Sequence, residues 1–234
     1  MSAVSPNPVS VEGRLDPQLS RWLWLVKWLL AIPHFVVLLF LFIAFLVLTI
    51  VAFFAIVFTG RYPRSIFDFN LGVLRWAWRV GFYTYDALGT DRYPPFTLGP
   101  EPDYPATLDV QYPEQLSRGL VLVKWWLLAI PHYLLLGVFL GGGWFAWDKG
   151  WDEDGRGSSP GLIVLLALFA GVALLFTTRY PRGIFDFVVG LNRWVFRVVA
   201  YAALMTDVYP PFRLDQGGPE PGPSAPEGGV AAGS

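Results

Sequence analysis

A nine-residue motif occurs twice in this chain and constrains its fold more than any other feature. Residues 61–69 read Arg-Tyr-Pro-Arg-Ser-Ile-Phe-Asp-Phe, and residues 179–187 repeat them with one change, Ser65 to Gly183. Both copies directly follow a long apolar run and open a segment that carries two arginines four residues apart. Because near-identity over nine residues indicates an internal duplication, the chain is predicted to contain two copies of one structural unit.

The composition indicates a membrane protein. Hydrophobic residues make up 54% of the 234 residues and charged residues only 15%, whereas soluble domains average about 25% charged residues. The net charge of −1 argues against a nucleic-acid surface, and the absence of cysteine excludes disulfides and thiol chemistry. Residues 1–16 lack the basic region and short apolar core of a signal peptide. The first membrane helix is therefore predicted to drive insertion and to remain in the mature protein.

Shared landmarks divide the chain into two repeat units and two tails. The first unit is predicted at residues 9–99 and the second at residues 100–215. Residues 1–8 are rich in serine and proline, and residues 216–234 are rich in glycine, proline, alanine and glutamate. Both tails are predicted to be disordered because they contain too little apolar surface to form a core.

The apolar run at 21–58 is long enough for one kinked helix or for a tight hairpin, since a spanning helix needs about 20 residues. The two Pro-His pairs lie 98 residues apart, whereas the two nine-residue motifs lie 118 apart, so the second unit has 20 extra residues. These residues, at 141–160, are rich in glycine and charge and cannot lie in hydrocarbon. Repeat comparison therefore predicts a hairpin in each unit, with helices at about 20–40 and 43–59 and at 117–140 and 161–178.

Each nine-residue motif leads into a predicted amphipathic helix, at 66–88 and at 184–205. At 100° per residue, the polar side chains fall on one narrow stripe. The stripes contain Asp68, Gly72, Arg75, Arg79, Tyr83 and Asp86 in the first unit, and Asp186, Gly190, Arg193, Arg197 and Tyr201 in the second. Such helices can lie at the membrane surface, or they can span with the stripe facing inward.

The arginine distribution favours surface helices. With two crossings in each unit, 13 of the 14 arginines fall on one side, which obeys the positive-inside rule with both termini cytoplasmic and the symmetry axis along the membrane normal. The alternative is an inverted repeat of the kind found in transporters, in which the arginines divide between both faces.

Extended segments complete each unit. Strands are predicted at 9–12 and 106–112, and short extended pieces at 96–98 and 212–214, which together could form a four-stranded cytoplasmic sheet. The predicted fold is an all-α integral membrane protein, built from a tandem repeat of helical hairpin plus amphipathic helix, with a small cytoplasmic β-sheet.

Three motifs resemble a known family. Leu-Leu-Ala-Ile-Pro-His, Thr-Gly-Arg-Tyr-Pro-Arg-Ser-Ile-Phe-Asp-Phe and Asp-Arg-Tyr-Pro-Pro-Phe are similar to those of the bacterial membrane proteins grouped as domain of unknown function 4389. The resemblance covers roughly residues 9–215 as two tandem copies. It implies an integral membrane protein and supplies no activity and no catalytic residues. The expected location is the bacterial cytoplasmic (inner) membrane, which the chain is predicted to cross several times. The second unit departs from the first by its insertion and by Val208, which stands where the first unit has Arg92.

Two histidines, His34 and His132, follow prolines at corresponding positions in apolar sequence. One interpretation is an intramembrane polar pair that binds a ligand, a proton or a metal. The other is that each histidine hydrogen-bonds carbonyls freed by its neighbouring proline. A metal site usually needs three or four ligands, and the chain has no third histidine and no cysteine, so no metal site is predicted. Lys27 and Lys124 are predicted to snorkel to headgroups.

Arginines and tyrosines are predicted to form two basic, aromatic-rimmed pockets that bind anionic lipid. Guanidinium groups bind phosphate bidentately, and tyrosines favour the membrane interface. The alternative is that the stripe arginines pair with aspartates as a structural feature. The candidate residues are Tyr62, Arg64, Arg75 and Arg79 in the first unit, and Tyr180, Arg182, Arg193 and Arg197 in the second.

The sequence contains no glycine-rich phosphate loop, nucleophile elbow, HExxH motif or paired carboxylates in an apolar setting. No enzymatic activity and no cofactor are therefore predicted. The expected function is a non-catalytic membrane scaffold that binds membrane lipids, including anionic ones, or a membrane protein partner. The alternative is a transporter of small solutes or ions, with a polar path between the repeats lined by His34, His132 and the arginine stripes.

Overall fold

The computed structural model describes residues 7–124, 128, 130–140, 161–177, 180–212 and 214. This described part of the chain is mostly helical and contains one two-stranded sheet. The elements in chain order are β1 (Val9–Gly13), a 3-10 turn (Leu23–Leu25), α1 (Lys27–Leu30), α2 (Ile32–Thr59), α3 (Arg64–Tyr83), β2 (Ala106–Val110), α4 (Arg118–Val123), α5 (Ile130–Leu140), α6 (Leu162–Thr177) and α7 (Arg182–Ala202).

The helix α2 is continuous over 28 residues, so the hairpin predicted at 20–40 and 43–59 is wrong. The residues around Phe42 include no glycine or proline, and the helix ends only at Gly60, whose φ of 73° is the left-handed conformation that glycine favours. In the second unit, α4 and α5 lie within the helix predicted at 117–140, of which residues 125–127 and 129 are outside the described part, and α6 lies close to the predicted 161–178. The extra residues at 141–160 lie outside the described part of the chain.

The amphipathic helices α3 and α7 begin two residues before the predicted starts and end earlier than predicted. The structure places them at the centre of the molecule, and their expected location at the membrane surface stays a prediction. Thirteen of the 20 residues of α3 are buried, because neighbouring elements cover this helix on several sides. The polar stripe is therefore directed into the protein.

The strands β1 and β2 form an antiparallel ribbon in which Val11 lies opposite Leu108. The four-stranded sheet predicted from sequence is wrong, because residues 96–98 form no strand. They follow two prolines, which cannot donate ladder hydrogen bonds. Of the tails predicted to be disordered, residues 1–6 and 216–234 lie outside the described residues, and Pro8 extends the ribbon by accepting a hydrogen bond from Gln111 N at 2.8 Å.

The ribbon lies on a pseudo-two-fold axis that relates the two units. Val11 and Leu108 occupy equivalent positions in the two repeats, and they face each other across the ribbon. The bond at one end, Gln111 N to Pro8 O, has its equivalent at the other end in Arg14 N to Pro105 O, also 2.8 Å. The strand of each unit is therefore paired with the strand of the other.

The inner helices α3 and α7 are antiparallel, and the pseudo-two-fold axis is perpendicular to both. Tyr62, which precedes α3, donates a hydrogen bond to Ala203 O, beyond the end of α7, at 3.4 Å. The equivalent hydroxyl of Tyr180, before α7, donates to Ala87 O, beyond the end of α3, at 2.7 Å. A two-fold rotation reverses only directions perpendicular to its axis. Because α3 and α7 are equivalent and run in opposite directions, the axis is perpendicular to both helices.

The molecule has three layers along this axis. One face of α3 contacts the ribbon and the loop before it, through Arg75, Trp78, Arg79 and Phe82. Another face contacts α2, through Asn70, Trp76 and Val80. At 100° per residue these two sets lie on opposite sides of α3. The layers are therefore the ribbon, then α3 with α7, then the apolar helices α2, α5 and α6.

In the second unit α5 and α6 together take the place that α2 has in the first. Four buried positions spread along α2 have buried equivalents in α5 and α6: His34, Phe45, Ala52 and Ile56 correspond to His132, Ile163, Ala170 and Leu174. In addition, α6 packs on α7 as α2 packs on α3. The third layer therefore follows the same pseudo-symmetry as the other two.

Candidate functional site

The stripe arginines bind backbone carbonyls of the strand that belongs to the opposite unit. Arg75 Nε donates to Leu108 O at 3.0 Å, and its Nη2 lies 2.6 Å from Asp109 Oδ1. Arg193, at the equivalent position, donates from Nε to Val11 O at 2.8 Å. Ladder bonds alternate along an antiparallel pair, so the carbonyls of Val11 and Leu108 point away from the partner strand and need another donor. Each arginine therefore holds the two units together.

An open cleft of about 260 Å³ lies between α3, β2 and the loop before β2, and Arg75 and Arg79 both line it. Arg79 Nη2 donates to Thr97 O at 2.5 Å, and its buried Nη1 has no partner among the described residues. Burial lowers the pKa of Arg79, and the nearby Glu101 opposes that shift. Because Glu101 and Asp109 also line the cleft, its positive charge is largely balanced.

The structure does not bring the four candidate residues of the first unit into one pocket. Tyr62 and Arg64 are not among the residues that line the cleft of Arg75 and Arg79. Tyr62 is 1% exposed, and burial raises its pKa to about 12. The exposed Arg64 lies 4.3 Å from the ring centroid of Tyr112.

The four candidates of the second unit are also separated. Tyr180 and Arg182 line a cleft of about 790 Å³ beside the end of α6, which does not include the other two arginines. Arg193 and Arg197 are buried beneath the ribbon layer, at 2% and 3% exposure. Binding of anionic lipid by these residues stays a prediction, and their contacts favour the structural alternative.

His34 lies in an aromatic cluster formed by its own unit. Its Nδ1 accepts a hydrogen bond from Trp76 Nε1 at 3.0 Å, and its ring stacks on Phe96 with centroids 3.9 Å apart. The carbonyl of Leu30, the last residue of α1, accepts instead from the hydroxyl of Tyr93 at 3.0 Å. His34 therefore does not bond the carbonyls next to its proline as the second interpretation proposed.

His132 lies in the equivalent cluster of the second unit. Its ring stacks on Phe212 and Trp194, with centroids 4.4 Å and 5.4 Å away. Its Nε2 lies 3.2 Å from Pro210 O. Each histidine is thus enclosed by rings of its own unit, and no described contact joins one histidine to the other.

Two buried lysines form matching ion pairs that the sequence analysis missed. Lys27 Nζ lies 2.9 Å from Asp91 Oδ1 and 5.0 Å from the ring centroid of Tyr83. Lys124 repeats the arrangement with Asp207 at 2.8 Å. The side chains are 1% and 0% exposed, so the prediction that they snorkel to headgroups is wrong. Burial lowers the pKa of both lysines, and the aspartates oppose the shift.

A signal for these ion pairs was present in the sequence. Asp91 and Asp207 both lie in the motif Thr-Asp-x-Tyr-Pro-Pro-Phe, which closes each unit. An aspartate thus recurs in the closing motif, and Lys27 and Lys124 recur at equivalent positions near the start of each unit. This recurrence indicates a shared contact, which the apolar surroundings of the lysines obscured.

The helix α2 exposes a broad apolar face on the side opposite to α3. Its exposed large apolar side chains are Ile32, Phe35, Val36, Leu39, Phe40, Phe42, Ile43, Leu46, Val47, Ile50, Val51, Phe54 and Phe58. Among the described residues, α2 is the one helix long and apolar enough to cross a membrane, and 17% of its apolar window is buried. A core helix of a soluble protein is mostly buried, so this helix differs from one.

The same face continues on the second unit. Leu165, Phe169, Val172 and Phe176 of α6 are exposed, and they correspond to Val47, Val51, Phe54 and Phe58 of α2. An apolar groove of about 880 Å³ runs between α2, the start of α5 and the C-terminal end of α7, with Phe53, Leu136 and Val199 among its walls. Its size and apolar lining suit a hydrocarbon chain.

The comparisons with known proteins identify a family. The sequence model of a family described as domain of unknown function (DUF4389) matches residues 21–97 and 161–213, more than half of the chain. The chain belongs to the DUF4389 family. Two matched segments are consistent with two copies of the DUF4389 unit, as the repeated motifs predicted. No curated protein and no solved structure matches the chain.

Proposed function

We propose that this DUF4389 protein is an integral membrane scaffold without catalytic activity, which binds lipid through its layer of apolar helices. The observation that carries the proposal is the exposed apolar face of α2. Removing apolar surface from water contributes about 25 cal/mol per Å², and contiguous apolar patches larger than a few hundred Å² mark interaction or membrane surfaces. A face of this extent is stable when it contacts hydrocarbon.

Two features support lipid as the bound molecule. The groove beside α2 offers an apolar channel for an acyl chain. Exposed arginines lie at the ends of the apolar helices, where Arg61 and Arg118 line one cleft with Gly60 and Arg182 lines another with Leu174. Each such charge near an anionic leaflet contributes about 1 kcal/mol. The arginines at the helix ends, rather than Arg75 and Arg79, are therefore the proposed contacts for anionic headgroups.

The internal contacts support a scaffold rather than the alternative of a transporter. A transport path needs polar side chains that face a shared cavity. Here Arg75 and Arg193 bind strand carbonyls, His34 and His132 are enclosed by aromatic rings, and the arginine-lined cleft includes neither histidine.

The test is lipid retention after purification in a mild detergent, measured by mass spectrometry of the bound lipids. Ala202→Trp fills the groove, and Val47→Trp is the matched control because Val47 is exposed on α2 outside the groove. Retained lipid per protein is expected to fall about twofold in Ala202→Trp only.

Equal retention in both variants would contradict the groove as the lipid site. Recovery of the protein in the soluble fraction would contradict the membrane location. Co-purification of one protein at fixed stoichiometry, with no lipid retained, would replace lipid by a protein partner.

A further inference from the structure

We infer that the protein lies flat in one leaflet of the membrane, with the pseudo-two-fold axis along the membrane normal and the ribbon facing the aqueous side. The inference rests on the proposed membrane location. By length alone α2 also suits a crossing, since 28 residues extend about 42 Å and the hydrocarbon core is about 30 Å thick. Three observations decide between the two orientations.

The first observation is the direction of α2. Thr49 of α2 bonds Asn70 of α3, and Leu38 packs with Val80, so α2 runs antiparallel to α3. Because α3 is perpendicular to the pseudo-two-fold axis, α2 is roughly perpendicular to it as well. A crossing α2 therefore requires the axis to lie in the membrane plane, with the two units inverted. A flat α2 places the axis along the normal.

The second observation is the depth at which a crossing orientation would place the ribbon. Arg75 lies midway between Asn70 and Val80 on α3, and is therefore level with the middle of α2. Its ion-pair partner Asp109 has a side chain that is 67% exposed. A crossing orientation would hold this carboxylate and the edges of the ribbon at the bilayer centre, where charged side chains and unpaired strand edges are unfavourable.

The third observation is the division between apolar and polar faces. The exposed side chains of α2 point away from α3, and the ribbon lies on the other side of α3, so the two surfaces are at opposite ends of the axis. A helix is about 10 Å wide, which fits within the hydrocarbon of one leaflet, about 15 Å deep. Trp22 and Trp28, 66% and 52% exposed next to α2, are suited to the headgroup boundary.

The flat orientation also agrees with the positive-inside rule, which the arginine distribution in the sequence follows. Arg61 and Arg118 lie at the C-terminal end of α2, and Arg182 lies at the C-terminal end of α6. These two ends are related by the pseudo-two-fold axis. A crossing orientation would put them on opposite sides of the membrane, whereas the flat orientation puts all three arginines on one side, in agreement with the positive-inside rule.

A double-cysteine variant tests the orientation. The chain has no cysteine, so Gln18→Cys with Gln115→Cys introduces the only two thiols. Both glutamines are exposed; Gln115 lines a cleft with Gly60 at the end of α2, and the two neighbours of Gln18 line a cleft with Leu174 near the end of α6. The purified protein is reconstituted into phosphatidylglycerol-containing liposomes and exposed to a membrane-impermeant maleimide. The reagent is then quenched, and the labels on each molecule are counted by intact mass spectrometry.

The flat orientation is expected to give molecules with either no label or two labels, whatever the mixture of insertion directions. One label on every molecule would overturn the inference in favour of a crossing α2, while leaving the membrane proposal intact. If the protein fails to float with the liposomes and every molecule carries two labels, the membrane location itself is overturned. A Val47→Cys variant, expected to stay unlabelled until detergent is added, controls for burial of the apolar face in lipid.

Discussion

The two units share their polar contacts and differ in their apolar helices. Arg75 and Arg193 bind equivalent carbonyls across the ribbon, and Lys27 and Lys124 form equivalent ion pairs. By contrast, α2 is continuous, whereas its counterpart consists of α5 and α6, and the 20 additional residues that the sequence has between them lie outside the described part of the chain. The polar contacts within and between the units are therefore the shared part of the repeat, while the apolar layer is the part that differs.

A second difference lies just after the inner helices. The segment between α3 and Thr90 is two residues longer than its equivalent in the second unit, and it contains Asp86. The carboxylate of Asp86 lies against Gly81, where an added Cβ would clash with it. The second unit has Val199 at the position of Gly81 and no matching acid. Burial raises the pKa of Asp86 to about 6, so this difference is also electrostatic.

The largest expected effect separates the two ribbon-binding arginines. Arg193→Ala is expected to lower the free energy of unfolding by about 3 kcal/mol, because removal of this buried charged donor leaves the carbonyl of Val11 without its hydrogen bond. Arg75→Ala is expected to cost about 1 kcal/mol, since Arg75 is partly exposed and water can replace it. Denaturant unfolding in detergent measures both.

A double variant of the first unit distinguishes a structural role of the stripe arginines from lipid binding. Arg75→Ala with Arg79→Ala is expected to lower the unfolding midpoint and to leave lipid retained per folded molecule unchanged. A double variant that folds normally and loses phosphatidylglycerol or cardiolipin would restore these arginines as the lipid site.

The buried lysines should behave alike in the two units. Lys27→Met and Lys124→Met are each expected to lower the free energy of unfolding by about 2 kcal/mol, because an aspartate loses its ion-pair partner at a mostly buried position. Thermal unfolding in detergent provides the measurement, and Arg21→Met, at an exposed position, is the control. A large loss of stability for one lysine variant and none for the other would show that the two ion pairs are not equivalent.

Asp86 should give the first unit a pH dependence that the second lacks. Burial raises its pKa to about 6 in the folded protein, above the ordinary value of about 4 for an aspartate, so the folded state binds the extra proton between these values. Stability is therefore expected to fall as pH rises from about 4 to about 6 and to stay level above that, by linkage. Asp86→Asn should remove this fall and stabilise the protein at pH 7 by about 2 kcal/mol. An unchanged pH profile in the variant would contradict this account of Asp86.

The smallest expected effect comes from making the units alike. Removal of residues 141–160 brings the spacing of the second unit to that of the first. Since α2 occupies its place without such an insertion, the shortened protein is expected to fold, to remain in the membrane and to unfold within about 1 kcal/mol of the parent. Failure of the shortened chain to insert would show that the insertion has a role that the first unit does not need.

The sequence predicted those features that recur locally in both units. The duplicated motif located both inner helices to within two residues of their starts, and the alternating pattern located β1 and β2. It could not show that each strand packs against the helix of the other unit, since Arg75 and Leu108 are far apart in the chain and a repeat does not specify which copy supplies the partner. The insertion at 141–160 also favoured a hairpin where α2 is continuous.

The candidate site was harder to predict than the fold. An arginine stripe in apolar sequence is equally compatible with phosphate and with backbone carbonyls, because a guanidinium donates to both. The carbonyls of Val11 and Leu108 become acceptors only once the ribbon has formed. The tyrosines of the duplicated motif were expected at the membrane interface because tyrosine favours that position. In the structure Tyr62 and Tyr180 are buried, and each donates a hydrogen bond to the other unit.

The pairing of β1 with β2 around the pseudo-two-fold axis, which the flat orientation places along the membrane normal, is tested most directly by a disulfide across the ribbon. Val9 pairs with Val110 at a position without ladder hydrogen bonds, where opposite Cα atoms lie about 4.5 Å apart, within the range that a disulfide bridges. Val9→Cys with Val110→Cys is expected to form an intramolecular disulfide on mild oxidation, so that no free thiol remains after denaturation. Val9→Cys with Leu108→Cys, two residues out of register, is expected to keep both thiols under the same conditions. Two free thiols in the Val9→Cys, Val110→Cys variant, or a disulfide only between molecules, would contradict the pairing of β1 with β2.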